Sequence, residues 1–110
     1  MVWIRKNRTK YNNTKSQYNG QFYHSQKEAL KARELDLLIK AGKIKSWKSQ
    51  VRIPLDVNGV HICRYVCDFL ITHNDNSLEY LEVKGFWTAT AKLKVKLFKA
   101  LYPELKYTIE

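Results

Sequence analysis

The sequence predicts an α/β domain: a mixed sheet with a central antiparallel meander, flanked by two helices. Three observations carry that expectation. One helix has start and stop signals, Ser25 and Gly42, around an amphipathic stretch. Apolar, β-branched runs between residues 50 and 84 are cut by turn formers at Asn58-Gly59 and at Thr72-His-Asn-Asp-Asn-Ser77. A segment rich in Ala, Leu and Lys, residues 88–102, precedes Pro103 and the short alternating run Lys106-Tyr-Thr-Ile109.

Taken in order, residues 1–17 carry Arg5, Lys6, Arg8, Lys10 and Lys15 and no acid, so they read as a flexible basic arm ahead of a domain spanning 18–110. Tyr18-Asn-Gly-Gln-Phe-Tyr23 holds a turn pair between short alternating runs and predicts a small hairpin. Ser25-Gln-Lys-Glu28 fits a capping box and Gly42 fits a helix C-terminus, which bounds a helix over 26–41. After Lys43-Ile-Lys-Ser-Trp47 come three strands: Gln50 to Val57, Val60 to Ile71, and Leu78 to Lys84, broken by Gly85. Residues 88–102 are ambiguous, since Leu93-Lys-Val-Lys-Leu97 alternates like a strand. Leu93, Leu97, Ala100 and Leu101 instead match a helical stripe, and length and composition favour the helix. A last strand over 106–109 follows.

At 110 residues the chain supports one domain with a modest core, and its 45% hydrophobic content is ordinary for a globular protein. No apolar run approaches the roughly 18 residues of a membrane span, and the N-terminus lacks the apolar stretch of a signal peptide. The expectation is therefore a cytoplasmic protein with no membrane partner. Cys63 and Cys67 lie on one predicted strand with Cα atoms about 13 Å apart, too far for a disulfide, and too few ligands surround them for zinc. Twenty Lys and Arg against ten Asp and Glu give a net charge of +10, the footprint of a nucleic-acid binder, the other readings being solubility or a basic surface facing an acidic protein.

Candidate chemistry concentrates on the last two strands of the meander. If they pair about the 72–77 turn, opposed residue numbers sum to about 150, so Asp68 faces Glu82 with Cβ atoms roughly 5 Å apart. Lys84, two residues beyond Glu82, projects from the same face. Opposed like charges are destabilising, and a bound divalent cation removes the repulsion. Oxygen-only ligands suit Mg²⁺ or Mn²⁺, which serve phosphodiester hydrolysis. Glu28 has two readings: a capping-box residue, or a third carboxylate at the end of the stripe Glu28, Ala32, Leu35, Ile39. Glu34, about 240° round the helix from Glu28, cannot serve the same site. Tyr65 lies across the strand from Asp68 by alternation and reads as packing. Trp47 and Trp87 either stack on bases or pack. No partner arrangement emerges for His24, His61 and His73. Lys92, Lys94, Lys96 and Lys99 form a solvated helix face or a phosphate-contacting one.

Asp68 followed by Glu82-Val-Lys84, with an upstream helical acid, resembles the PD-(D/E)XK nuclease superfamily. Gly20-Gln-Phe22, Ser25-Gln-Lys-Glu28-Ala, Gly42-Lys-Ile44, Gln50, Tyr65-Val-Cys-Asp68-Phe, Glu82-Val-Lys84-Gly85, Thr88 and Lys94-Val-Lys-Leu-Phe98 resemble a family of short phage-encoded endonucleases, across about residues 18–109. Cys67 stands where the motif has proline. The resemblance implies a restriction-endonuclease-like core. It implies that Glu28, Asp68 and Glu82 bind metal, that Lys84 is catalytic and that Gln50 supports the site. It further implies a Mg²⁺- or Mn²⁺-dependent DNA endonuclease leaving 5′-phosphate and 3′-hydroxyl ends, working in a host cytoplasm on branched phage DNA such as a Holliday junction. A homodimer is compatible with this reading. The alternative is a non-catalytic nucleic-acid-binding protein with the same fold. On either reading Arg5, Lys6, Arg8 and Lys10 of the arm, with the four lysines of 92–99, are the expected phosphate contacts.

Deleting residues 1–16 removes five cationic side chains. If about three touch phosphates, the slope of log K against log salt for DNA binding should shrink by roughly 2.7. An unchanged slope in a salt titration would assign the arm's charge to solubility instead.

Overall fold

The computed structural model describes residues 16–23, 25–83, 85 and 87–110. Arg5, Lys6, Arg8, Lys10, His24 and Lys84 lie outside them. The chain divides into two compact units, residues 1–37 and 38–110.

In the first unit, β1 (Ser16–Tyr18) and β2 (Gln21–Tyr23) form the small hairpin, paired Ser16 with Tyr23 and Tyr18 with Gln21. Ser16 and Gln17, assigned by sequence to the arm, are thus already in a strand. The turn is Asn19-Gly20, both at positive φ (54° and 81°), as a tight hairpin turn requires. The helix α1 (Gln26–Lys40) starts where its cap predicts: the Ser25 hydroxyl accepts from the Glu28 amide at 3.1 Å. The Tyr18 hydroxyl donates to Asp36 at 2.6 Å, tying hairpin to helix. The buried positions of α1 are Glu28, Ala29, Ala32 and Leu35. Ile39 is 37% exposed, so the stripe expected from the sequence ends a turn early.

α1 closes with two bonds, Gly42 N–H to the Ile39 carbonyl (3.0 Å) and Lys43 N–H to the Leu38 carbonyl (2.9 Å), around Gly42 at φ 74°. This paired closure needs a left-handed residue and explains the glycine. The second unit is then a four-stranded mixed sheet in the order β3-β4-β5-β6. β3 (Ser46–Val57) and β4 (Val60–Thr72) form a long hairpin through Asn58-Gly59, whose φ values of 51° and 79° are those of a type I′ turn. β3 begins four residues before the sequence expectation, because Ser46 and Trp47 pair with Thr72 and Ile71. The register slips between Leu55 and Asp56, a bulge near the hairpin tip. β5 (Leu78–Glu82) pairs antiparallel with β4 in the register expected from the sequence: Phe69 with Leu81, Leu70 with Tyr80, Ile71 with Glu79 and Thr72 with Leu78.

β5 then runs parallel to β6 (Lys106–Ile109), and α2 (Ala89–Leu101) makes the crossover between them. The ambiguous segment is therefore helical, over Ala89–Leu101. Thr88 caps α2 by accepting from the Ala91 amide at 3.0 Å. Its buried positions are Val95 and Phe98, whereas Leu93 is 66% exposed. Of the expected stripe, Leu97 and Leu101 pack against the core while Leu93 and Ala100 are exposed; the buried contacts are made by Val95 and Phe98, which join Ile53, Leu55, Tyr65 and Cys67 in one core. Phe98 touches four aromatic rings, those of Tyr65, Tyr80, Tyr102 and Tyr107, at centroid distances of 5.1–5.8 Å.

Cys63 and Cys67 are both free thiols. Burial pushes the Cys67 thiol from its ordinary 9.0 up to about 12, and Tyr107 is likewise pushed up to about 12 by burial. Both groups fold in their neutral form, so their contribution to stability is complete below the unfolded pKa and is lost as pH rises through the folded one. Thermal stability should fall as pH is raised from about 9 to 12, and Cys67→Ala should flatten part of that decline in a pH series of melting curves. A Cys67→Ala slope equal to the wild type's would contradict the assignment.

Candidate active site

The strands exchange faces at one level of the sheet. Tyr65 and Cys67 of β4 face α2 with Phe98. Directly opposed residues share a face, so Leu70 lies on the same side as its partner Tyr80, whose ring meets Phe98. The residues facing α2 therefore step from 67 to 70 rather than to 69. Phe69 belongs to the other side, with its ring against Trp47 at 5.5 Å. Asp68 stands at that break. On β3 the pairs Ser49–Phe69 and Val51–Cys67 leave Gln50 level with Asp68, and Gln50 has φ 53°. A left-handed residue without glycine inside a strand stores strain of order 1–3 kcal/mol, and such strain clusters at functional sites.

Asp68 is 8% exposed, and Glu28 is 7% exposed; among the described residues these are the only charged side chains that are buried. Asp68 Oδ2 accepts from the Val83 amide at 2.9 Å, which brings its carboxylate to the residue next to Glu82. The backbone partner satisfies a charge that burial would otherwise penalise. Glu82 ends β5 on the α2 side, and its Oε1 accepts the Tyr65 hydroxyl proton. Burial, followed by that donation to Glu82, holds the Tyr65 hydroxyl protonated far above the ordinary tyrosine range. Both carboxylates press electrostatically on the same two neighbours, Cys67 and Tyr107, raising each.

Tyr65 is the residue the sequence reading missed. Strict alternation puts it opposite Asp68 and out of the site, and the exchange of faces removes that separation. Glu82, Tyr65 and Arg64 line a cavity of about 440 Å³, together with Thr88, Thr90 and Lys94 from the start of α2. The four lysines of α2 consequently divide: Lys94 belongs to this cavity, and Lys92, Lys96 and Lys99 to another one beside Trp87. Trp47 packs on Phe69. Two histidines have carboxylate partners: His61 Nδ1 lies 2.7 Å from Asp56 and His73 Nε2 lies 2.8 Å from Glu79. Glu34 pairs with Lys31 at 3.1 Å on the surface of α1.

Among the described residues no three His, Cys, Asp or Glu side chains are grouped as a metal-holding set. Asp68 and Glu82 nonetheless form a pair of hard oxygen donors, linked through the Val83 amide, with Gln50 level with Asp68 on β3. The pair fits an ion that takes one or two carboxylates and fills its remaining positions with water and phosphate oxygens, the habit of Mg²⁺.

A family model described as "Protein of unknown function (DUF1064)" matches residues 8–110. The chain belongs to this family. No curated protein and no solved structure matches it. The DUF1064 match includes every element from β1 to β6 and all of the site just described. No described helix is long and apolar enough to cross a membrane.

The strained turn of backbone at Gln50 gives a direct check. Gln50→Val places a β-branched residue at φ 53° and should destabilise the protein by about 1–3 kcal/mol. Gln50→Gly should melt near the wild type, because glycine adopts that conformation freely. Equal melting of the valine and wild-type proteins would refute a left-handed Gln50.

Proposed function

We propose that this DUF1064 chain is a metal-dependent DNA endonuclease with a restriction-endonuclease-like core, acting on branched or otherwise structured DNA. The observation that carries the proposal is the buried Asp68 carboxylate. It lies where two strands break alternation together, level with Gln50 and bonded to the amide that follows Glu82. A buried charge beside a second carboxylate is costly, and such groups are retained at sites that use them. The ordered residues Glu28, Asp68, Glu82 and Lys84 add the resemblance already described, and the net charge of +10 suits a polyanionic substrate.

In this reading Asp68 and Glu82 hold the Mg²⁺ or Mn²⁺ ion, and Gln50 keeps the Asp68 level of the sheet in place. When bound, the ion supplies a more acidic water and neutralises charge gathering on the phosphodiester. Tyr65 fixes one oxygen of Glu82 by donating to it, so the carboxylate cannot rotate freely. Arg64 and Lys94, on the cavity beside Glu82, meet the anionic substrate. Lys84 orients the attacking water or meets the charge that develops in the transition state. Glu28 enters from the sequence alone, as a third carboxylate of the set. The second reading, a binding protein without hydrolytic activity, shares the charge and the fold but leaves the buried carboxylate without a task.

The test is incubation with junction, flap, single-stranded and linear duplex DNA in Mg²⁺, Mn²⁺ or EDTA. The wild type should cleave a branched substrate only with metal. Lys84→Ala should cut at least about 10²-fold more slowly, and Asp68→Asn and Glu82→Gln should be inactive, all three still binding DNA. Glu28→Gln keeps the capping box, so its loss of cleavage at unchanged melting temperature marks a ligand, and full activity marks a cap. Cleavage in EDTA, or by Lys84→Ala at the wild-type rate, would sink the proposal.

A further inference from the structure

We propose that the cavity beside Trp87 is a subsite for an unpaired nucleotide of the DNA strand, with its base against Trp87 and its phosphates on Lys92, Lys96 and Lys99. The proposal rests on the reading of the chain as a DNA-binding protein and adds to it what form of DNA is recognised.

The cavity measures about 450 Å³, and Trp87, Val95 and Ile109 make its apolar surface. Trp87 is half-buried and packs against the core that holds Val95 and Phe98, so one part of the indole is anchored while the rest meets the cavity. Lys92, Lys96 and Lys99 follow the i, i+4, i+7 spacing of one helix stripe, and all three are exposed. Lys99 is held over the Tyr107 ring, its Nζ 5.0 Å from the centroid, which fixes one ammonium at the rim.

Three ammonium groups round an apolar hollow select against a cationic occupant and leave a purely apolar one with nothing to pair the charge. The complementary ligand has a flat apolar face and anionic groups at its edge. A nucleotide has both, and stacking of a base on an aromatic side chain is tolerant of sequence. Paired DNA cannot supply that face, because its bases are covered by their neighbours in the stack. The fitting form is therefore a single strand, or the unpaired arm of a flap. Lys94 points the same way by its absence, since it lies with Glu82 on the other cavity. One flank of α2 thus serves the proposed cleavage site and the other holds a strand leaving it.

The experiment measures binding of the full chain in EDTA, so that no cleavage intervenes, to an oligothymidylate, a flapped duplex and a blunt duplex of equal phosphate count. Trp87→Ala should lose about tenfold in affinity for the first two and keep its affinity for the blunt duplex. Trp87→Phe should restore most of the loss. In parallel, wild-type protein irradiated with a bromodeoxyuridine-substituted oligomer should crosslink at Trp87, a readout that needs no folded variant. An equal loss on all three DNAs, no loss on any, or crosslinks only elsewhere would overturn the subsite. A protein that holds unpaired DNA through Trp87 but cleaves nothing keeps the subsite and removes the nuclease reading. Cleavage that depends on Lys84, with no preference due to Trp87, does the reverse. A wild type that binds none of the three DNAs overturns both.

Discussion

The second unit is organised by the requirement that two neighbouring strands change faces at the same level. On β3 the change is made by Gln50 in a left-handed conformation; on β4 it falls at Asp68. A single strand that broke alternation alone would turn its apolar set to the wrong side of the sheet. Because both change together, Val51, Ile53 and Leu55 stay beside Cys67, Tyr65 and Cys63, under α2. Trp47 and Phe69 meet on the opposite side. The cost is local strain and a buried carboxylate, and the gain is a polar spot between the apolar cluster under α2 and the Trp47–Phe69 contact.

That spot is supported from several directions. The Val83 amide holds Asp68, the Tyr65 hydroxyl holds Glu82, and the Tyr65 ring is wedged between Phe98 and Tyr107. Phe98 in turn fixes α2, whose first turns carry Thr88, Thr90 and Lys94 to the cavity beside Glu82. In the proposed reaction, orientation of the carboxylates therefore depends on the same aromatic packing that stabilises the unit. Few side chains there can change without moving both.

Much of this was legible in the residues, and what was not depends on contacts between elements. Asn58-Gly59 and the 72–77 turn, whose Asp75 bonds Ser77 and whose Asn76 has φ 70°, are local chemistry. They set the pairing of β4 with β5, and with it the meeting of Asp68 and the end of β5. The capping residues bounded α1 for the same reason. Tyr65 was assigned to packing alone because alternation was assumed to run unbroken, and glutamine carries no mark of a positive φ. The α2 stripe was read from the helical spacing of Leu93, Leu97, Ala100 and Leu101, whereas contact with Tyr65 and Tyr80 selects Phe98. His73 and Glu79 bond across the turn at the start of β5, diagonal to the Thr72–Leu78 pair rather than directly opposed, so a reading of opposed partners passes over them.

β6 pairs with β5 through residues 106–109, and the amide of Glu110 reaches the Glu82 carbonyl at 2.9 Å. The strand that ends in Glu82 thus has one neighbour that follows it in the chain by more than twenty residues. During synthesis β3, β4 and β5 can zip as consecutive hairpins, but β5 keeps an open edge until α2 and β6 have left the ribosome. Parallel pairing across a helix is slow to form compared with a hairpin, and an open edge invites pairing with another nascent chain. The order of folding then delays completion of the carboxylate site to the last step. A chain interrupted before residue 106 would carry its acids on an unfinished sheet, prone to association with its own kind.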